Sequence, residues 1–150
     1  MRVFRSAEEI VAAKGEELGT SEWLEITQQR VNEFADATSD HQWIHVDIER
    51  AKQGPFGGPV AHGYLTLSLL PKLNAETYKL EGVKMGINYG LNKVRFPSPV
   101  LVGSRVRAVT RLDDVTDVKE GIQLTITATI EIEGSDKPAC VAESLSRVVF

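Results

Sequence analysis

From Ile122 to Glu133 apolar and polar side chains alternate without a break. Ile122, Leu124, Ile126, Ala128, Ile130 and Ile132 fall on one side, and Gln123, Thr125, Thr127, Thr129, Glu131 and Glu133 on the other. A period of two is the period of a β-strand, and the many β-branched residues suit it. The segment is therefore a long strand with one face buried and one wet. Such a strand needs sheet neighbours and an apolar body to lie on. Arg105 to Leu112 alternates in the same way, and Val83–Phe96 and Ala139–Phe150 read as two further strands. Asp113–Gly121 and Gly134–Pro138 are predicted to be the hairpin connections.

The apolar body is legible upstream. Between Ala61 and Tyr78, Leu65, Leu67, Leu69, Leu70 and Leu73 cover more than one helical stripe, which predicts a buried helix. Pro71 should kink it or leave one hydrogen bond unmade. Ser6 with Glu9 three residues on, and Gly15 as the stop, predict a short capped helix. A strand is expected over Ser21–Ile26. Thr27 should cap a helix to about Thr38 with Val31, Phe34 and Ala35 on one face, and Asp47 a short helix from Ile48 to Gln53. Helices first and four antiparallel strands after them make an α+β chain whose sheet curls around the long helix. No linker, repeat or low-complexity stretch divides residues 1–150, so one domain is expected.

The net charge of −4 argues against a general nucleic-acid binder. Lys93, Arg95, Arg105, Arg107 and Arg111 cluster on predicted strands. They suit either a solvated strand face or contact with a phosphorylated small molecule, and charge spacing alone leaves both open. The lone Cys140 forbids an intrachain disulfide and sits in an apolar run, as a small buried hydrophobe would. No signal-peptide core appears, and no stretch approaches the roughly 18 apolar residues of a membrane span. A soluble, cytoplasmic protein without membrane partners is expected.

All three histidines, His41, His45 and His62, fall in one window headed by Asp40. Imidazole titrates nearest neutrality, so proton-transfer chemistry is to be sought there. Asp40 and His45 lie beyond the predicted end of the helix, in an irregular turn where both side chains can reach one water as an acid/base pair. The same spacing suits an aspartate that caps a turn and a histidine satisfied in the core. His41 and His45, with Asp40 or Asp47 as a third ligand, have one spacing of a metal site. However, no glutamate follows His41, and the helix that gives such spacing meaning is missing, so no metal is expected. His62 and Gly63 open the long helix. Unpaired amides there can stabilise an oxyanion, and Gly63 lets a carbonyl approach closely or simply permits tight packing. His62 is expected to hold the preceding glycine–proline turn through a side-chain hydrogen bond.

Phe34-Ala35-x-x-Thr38-Ser39-Asp40-x-x-x-Ile44-His45-x-Asp47-x-x-x-Ala51, then Phe56-Gly57-x-Pro59-Val60-Ala61-His62-Gly63-x-Leu65, resembles the MaoC-like (R)-specific enoyl-CoA hydratases. Val94-Arg95-Phe96-x-x-Pro99-Val100-x-x-Gly103 resembles the strand segment that follows in that family. The chain departs from the usual Gly-Asp-x-Asn-Pro-x-His at Ser39, Gln42 and Trp43, while Asp40 and His45 keep their spacing.

The resemblance implies a hot-dog fold, with the long helix as sausage and the antiparallel sheet as bun, and a homodimer. It implies that Asp40 and His45 activate water for addition to C3 of a trans-2-enoyl thioester, carried by CoA or acyl-carrier protein. The Gly63 amide would be the oxyanion hole, and Gln42, Trp43, His62 and Arg95 would meet substrate, Arg95 through CoA phosphates. No cofactor is implied. A hot-dog thioesterase is the alternative within enzymes, although Glu76 comes late in the helix for that role. A non-catalytic acyl-binding subunit is the alternative outside them, and typically lacks the Asp–His pair.

Overall fold

The computed structural model describes residues 1–150. The chain runs β1 (Arg2–Phe4), α1 (Ala7–Ala12), β2 (Glu17–Thr20), β3 (Leu24–Glu25), α2 (Gln28–Thr38), α3 (Trp43–Val46), α4 (Ile48–Lys52), α5 (Gly63–Ser68) and α6 (Leu70–Asn74). It continues through β4 (Tyr78–Leu80), β5 (Met85–Arg95), β6 (Arg105–Val118), β7 (Gly121–Ile132) and β8 (Cys140–Val149). The main sheet has the order β2-β6-β7-β8-β5, with β3 also paired to β6, and all its pairings are antiparallel. The short strands β1 and β4 form a separate parallel pair.

The alternation that defines β7 appears directly in its burial, which switches at every residue. Its apolar side divides between two clusters. Ala128, Ile130 and Ile132 pack with Leu65, Leu69, Leu70 and Leu73 of the helices and with Val31 of α2. Ile122, Leu124 and Ile126 pack with Phe4, Ile10 and Leu18 from the N-terminal elements. The sheet thus wraps the α5–α6 rod at one end and is closed by α1 at the other. This is the α+β hot-dog architecture that the resemblance implies.

The caps fall where their side chains predict. Ser6 accepts from the Glu9 amide, Thr27 from Arg30 and Asp47 from Arg50. Four expectations need correction. The helix over Ala61–Tyr78 is two short helices broken at Leu69, because Pro71 has no amide to continue the ladder, and Tyr78 has already entered β4. Nor is that rod buried all round: Tyr64, Ser68, Pro71 and Lys72 are exposed. Asp113–Gly121 is not a loop. β6 continues to Val118 past a bulge at Asp113, and the turn is only Lys119–Glu120, with Glu120 at φ 71°. The strand expected over Ser21–Ile26 shrinks to Leu24–Glu25, while Glu17–Thr20 pairs with β6 although it does not alternate.

Gly121 shows why the β6–β7 turn needs glycine. A Cβ there would overlap the carbonyl oxygen of Val148 on β8. Opposite this, β5 forms the far edge of the sheet and leaves Met85, Ile87, Tyr89 and Leu91 exposed.

Candidate active site

Three pieces of chain meet where α2, α3 and α5 converge. α2 ends at Ser39, which takes the left-handed conformation (φ 62°) and turns the chain sharply into Asp40. The family pattern has glycine at this position, the residue that adopts this conformation without strain. α3 then presents His45, whose backbone amide bonds back to Gln42 and whose carbonyl accepts from Gln28 of α2. The third piece, Val60–Gly63, is stitched in by main-chain bonds from Val60 to Ile44 (2.9 Å) and Ala61 to Val100 (2.8 Å), with an isolated bridge between Val60 and Leu101.

His45 is only 6 % exposed. Its Nδ1 lies 2.6 Å from the carbonyl oxygen of Val60, an acceptor only, so Nδ1 carries the proton. The neutral ring therefore keeps Nε2 as a bare base. Burial lowers the pKa of His45 below its ordinary value; the Val60 bond opposes this, the neighbouring His62 ring adds to it, and Asp40 opposes it. His45 is thus an uncharged base at neutral pH.

His62, 2 % exposed, stacks on His45 with ring centroids 3.8 Å apart and planes 21° apart. Its Nε2 donates to the Asp40 carbonyl at 3.0 Å, so it ties down the turn after α2 and not the glycine–proline turn expected from the sequence. Its Nδ1 is buried without a hydrogen-bond partner in the chain. Phe34 of α2 packs on the same ring at 4.9 Å. The Asp40 carboxylate is exposed and receives a long bond from the Gln42 amide, 3.4 Å.

Asp40, His45 and His62 present potential ligand atoms within 4.8 Å of one another. Each ring commits one nitrogen to a backbone carbonyl and keeps the other bare, an arrangement that serves a metal-bound histidine and a proton-transfer base alike.

Gly63 is the first residue of α5, in the turn whose amides lack intrahelical acceptors. A hollow of about 260 Å³ lies in front of it, lined by Thr66, Phe96, Ser98, Pro99, Val100 and Ala139. A Cβ on Gly63 would stand 3.4 Å from three atoms of the Phe96 ring. A larger groove of about 710 Å³ starts at Leu67, one helical turn onward.

The remaining candidates are spread around this centre. His41 bonds exposed Asp36 at 2.9 Å and stays outside. Gln42 is exposed at the N-cap of α3, without a side-chain cap bond. Trp43 packs beneath Arg50, 4.3 Å away, and against Gly54. Arg95 lies at the exposed end of β5, next to Phe96, and its guanidinium donates to the Val94 carbonyl. Arg105, Arg107 and Arg111 have carboxylate partners in Glu133, Glu131 and Asp113, as solvated strand-face charges do. The sequence did not show that His62 would join the Asp40–His45 pair, since the contact depends on how Val60–Gly63 returns to α3.

The model of the MaoC like domain matches residues 9–134. The chain is 60% identical over 150 residues to the 3-hydroxyacyl-thioester dehydratase Z of Mycobacterium tuberculosis (strain ATCC 25618 / H37Rv), covering 99% of each chain. It is 46% identical over 148 residues to Nodulation protein N of Rhizobium meliloti (strain 1021), covering 97% of this chain and 92% of the relative. Among solved structures, the (R)-hydratase from A. caviae involved in PHA biosynthesis superposes with a TM-score of 0.73 at 24% identity, over 89% of this chain and 94% of that one. The MaoC-like dehydratase from Rhodospirillum rubrum gives 0.73 at 21% identity, over 92% of each. At these identities the structural matches speak to the fold.

Proposed function

The chain belongs to the MaoC-like domain family, and from that premise we propose that it reversibly adds water to a trans-2-enoyl thioester to give an (R)-3-hydroxyacyl thioester. The observation that carries this reading is the bare Nε2 of a buried neutral His45 beside the Asp40 carboxylate, next to a helix start that ends in glycine. In the hydration direction, water oxygen adds to C3 while the Asp40–His45 pair takes one of its protons. The electrons of the C2=C3 bond shift toward the thioester carbonyl, whose oxygen gains negative charge beside the Gly63 amide. A proton returned to C2 completes net addition of H₂O, with no leaving group and no redox change.

The large groove suits the acyl chain. It begins one turn beyond Gly63 and is walled by Leu67, Leu70, Tyr78, Leu91, Leu124 and Val148. A second copy of the chain is the partner that β5 calls for. An edge strand with Met85, Ile87, Tyr89 and Leu91 exposed is an association surface unless it is covered. Because Ile87, Tyr89 and Leu91 also line the groove, a second copy there would close the groove over the acyl chain. Arg95, exposed at the end of that strand, would meet the phosphates of a CoA carrier. Gln42 and Trp43 flank the same turn as Asp40.

The alternative thioesterase chemistry needs a carboxylate facing the thioester carbon. Glu76 lies beyond the end of α6 and is committed to Lys72 and to the Glu22 amide. The test is hydration of crotonyl-CoA, followed as loss of the conjugated thioester absorbance. Asp40→Asn and His45→Gln should each lower the rate by about 10²–10⁴-fold, the usual range for general acid–base groups, with circular dichroism unchanged. Near-wild-type rates in both would sink the assignment. Release of free CoA in place of hydration would establish the thioesterase.

A further inference from the structure

His62 is a buried titratable side chain that this mechanism leaves unused. Its surroundings are specific. One ring face lies against His45, Phe34 packs on the ring at a tilt of 58°, and Nε2–H reaches the main-chain carbonyl of Asp40 across 22 residues of sequence. The alternative anchor for the Asp40 turn is weak, since the carboxylate receives only the long Gln42 bond. One imidazole therefore touches both members of the acid/base pair: the backbone of one and the ring of the other.

A phenylalanine of similar shape would fill the same space between Phe34 and His45 but would lack the donor to Asp40. The feature that histidine adds here is thus the Nε2–H pin.

We propose that His62 is a positioning residue for water addition: its Nε2–H fixes the Asp40 turn while its ring face fixes the plane of His45, so that carboxylate and base share one water. The proposal rests on the hydratase reading and deepens it.

Two substitutions separate the pin from the packing. His62→Phe keeps an aromatic ring against His45 and removes the donor. His62→Gln removes the ring and keeps an amide N–H within similar reach of the Asp40 carbonyl. Release of the Asp40 turn by about 1 Å is expected to lower kcat about 10²-fold in His62→Phe, with KM within about threefold of wild type because binding contacts are untouched. His62→Gln should recover to within about tenfold of wild-type kcat. Equal kcat in wild type and His62→Phe, with both folded, would overturn the proposal. Equal losses in the two variants would also overturn it, since packing alone would then explain the effect.

Long-range ¹⁵N–¹H correlation on the wild-type protein supplies a readout that does not depend on turnover or on a variant folding. It should show His62 protonated at Nε2 and bare at Nδ1, and His45 with the opposite tautomer. A His62 proton on Nδ1 would overturn the pin directly. A wild-type protein without hydratase activity, but with these tautomers, would overturn the functional reading while leaving the pin in place. Loss of activity in Asp40→Asn and His45→Gln but not in His62→Phe would overturn the positioning role alone.

Discussion

Gly63→Ala separates folding from chemistry at the start of α5. The added methyl would stand 3.4 Å from three carbons of Phe96, a tight contact but not an overlap. Phe96 is 43% exposed, so its ring has room to yield. Against that small cost, alanine exceeds glycine in helix propensity by about 1 kcal/mol in an interior and by less at the first position. The balance is a stability change within about 1 kcal/mol, or about 2–4 °C in Tm for a chain of this size. Activity should respond quite differently. On the proposed reading the methyl would occupy the space from which a thioester carbonyl approaches the Gly63 amide, and a displacement of about 1 Å there costs about 10²-fold in rate. Because the hydrogen bond strengthens as enolate charge develops, the loss should fall on kcat more than on KM. Crotonyl-CoA hydration with a thermal melt on the same sample is the assay. Wild-type kcat/KM in a folded Gly63→Ala protein would refute the oxyanion role. The double variant Gly63→Ala/Phe96→Leu checks the cause: if crowding by Phe96 were responsible, it would restore the rate.

Two further outcomes follow from the geometry. Burial lowers the pKa of His45 below its ordinary value of about 6.5, so its neutral form should persist into mildly acid solution, and the acid limb of kcat/KM should fall below that value. The sign for stability agrees: between the lowered folded pKa and the unfolded one, the unfolded chain binds more protons, so stability falls as pH drops through this window. Urea unfolding from pH 7 to 5 should show this slope, and His45→Gln should flatten it; an unchanged slope would refute the buried neutral base. Separately, Gly121→Ala should cost about 3 kcal/mol and about 10 °C in Tm, because the methyl must push β7 away from the Val148 carbonyl and break ladder bonds there. A melt within 2 °C of wild type, roughly 1 kcal/mol or less, would show that β8 yields at little cost.

The fold was legible wherever one force dominated locally. Alternation located β7 and the start of β6 because burial of one face is decided by every second residue. The caps at Ser6, Thr27 and Asp47 were readable because each satisfies an amide three residues away. Failures came where a distant partner decided. Asp113 and Asp114 suggest a turn, yet β6 stays paired with β7 past them because Asp113 bulges out of the ladder. Glu17–Thr20 lacks alternation and becomes a strand because β6 offers it an edge. The window of the site was readable from its three histidines, but their partners were not. That His41 turns out to Asp36 while His62 turns in to His45 depends on the path of Val60–Gly63, which main-chain bonds to Ile44 and Val100 determine.

The bond from His45 to Val60 has a consequence for how such a site can change over time. The tautomer of the base is selected by a main-chain oxygen, an atom that every amino acid supplies. Replacement of the Val60 side chain leaves that oxygen in place so long as the bridge to Leu101 still guides the strand. The address of the proton is therefore written in the route of the backbone, beyond the direct reach of point substitution. Residues around the pocket are free to drift without resetting which nitrogen of His45 stays bare.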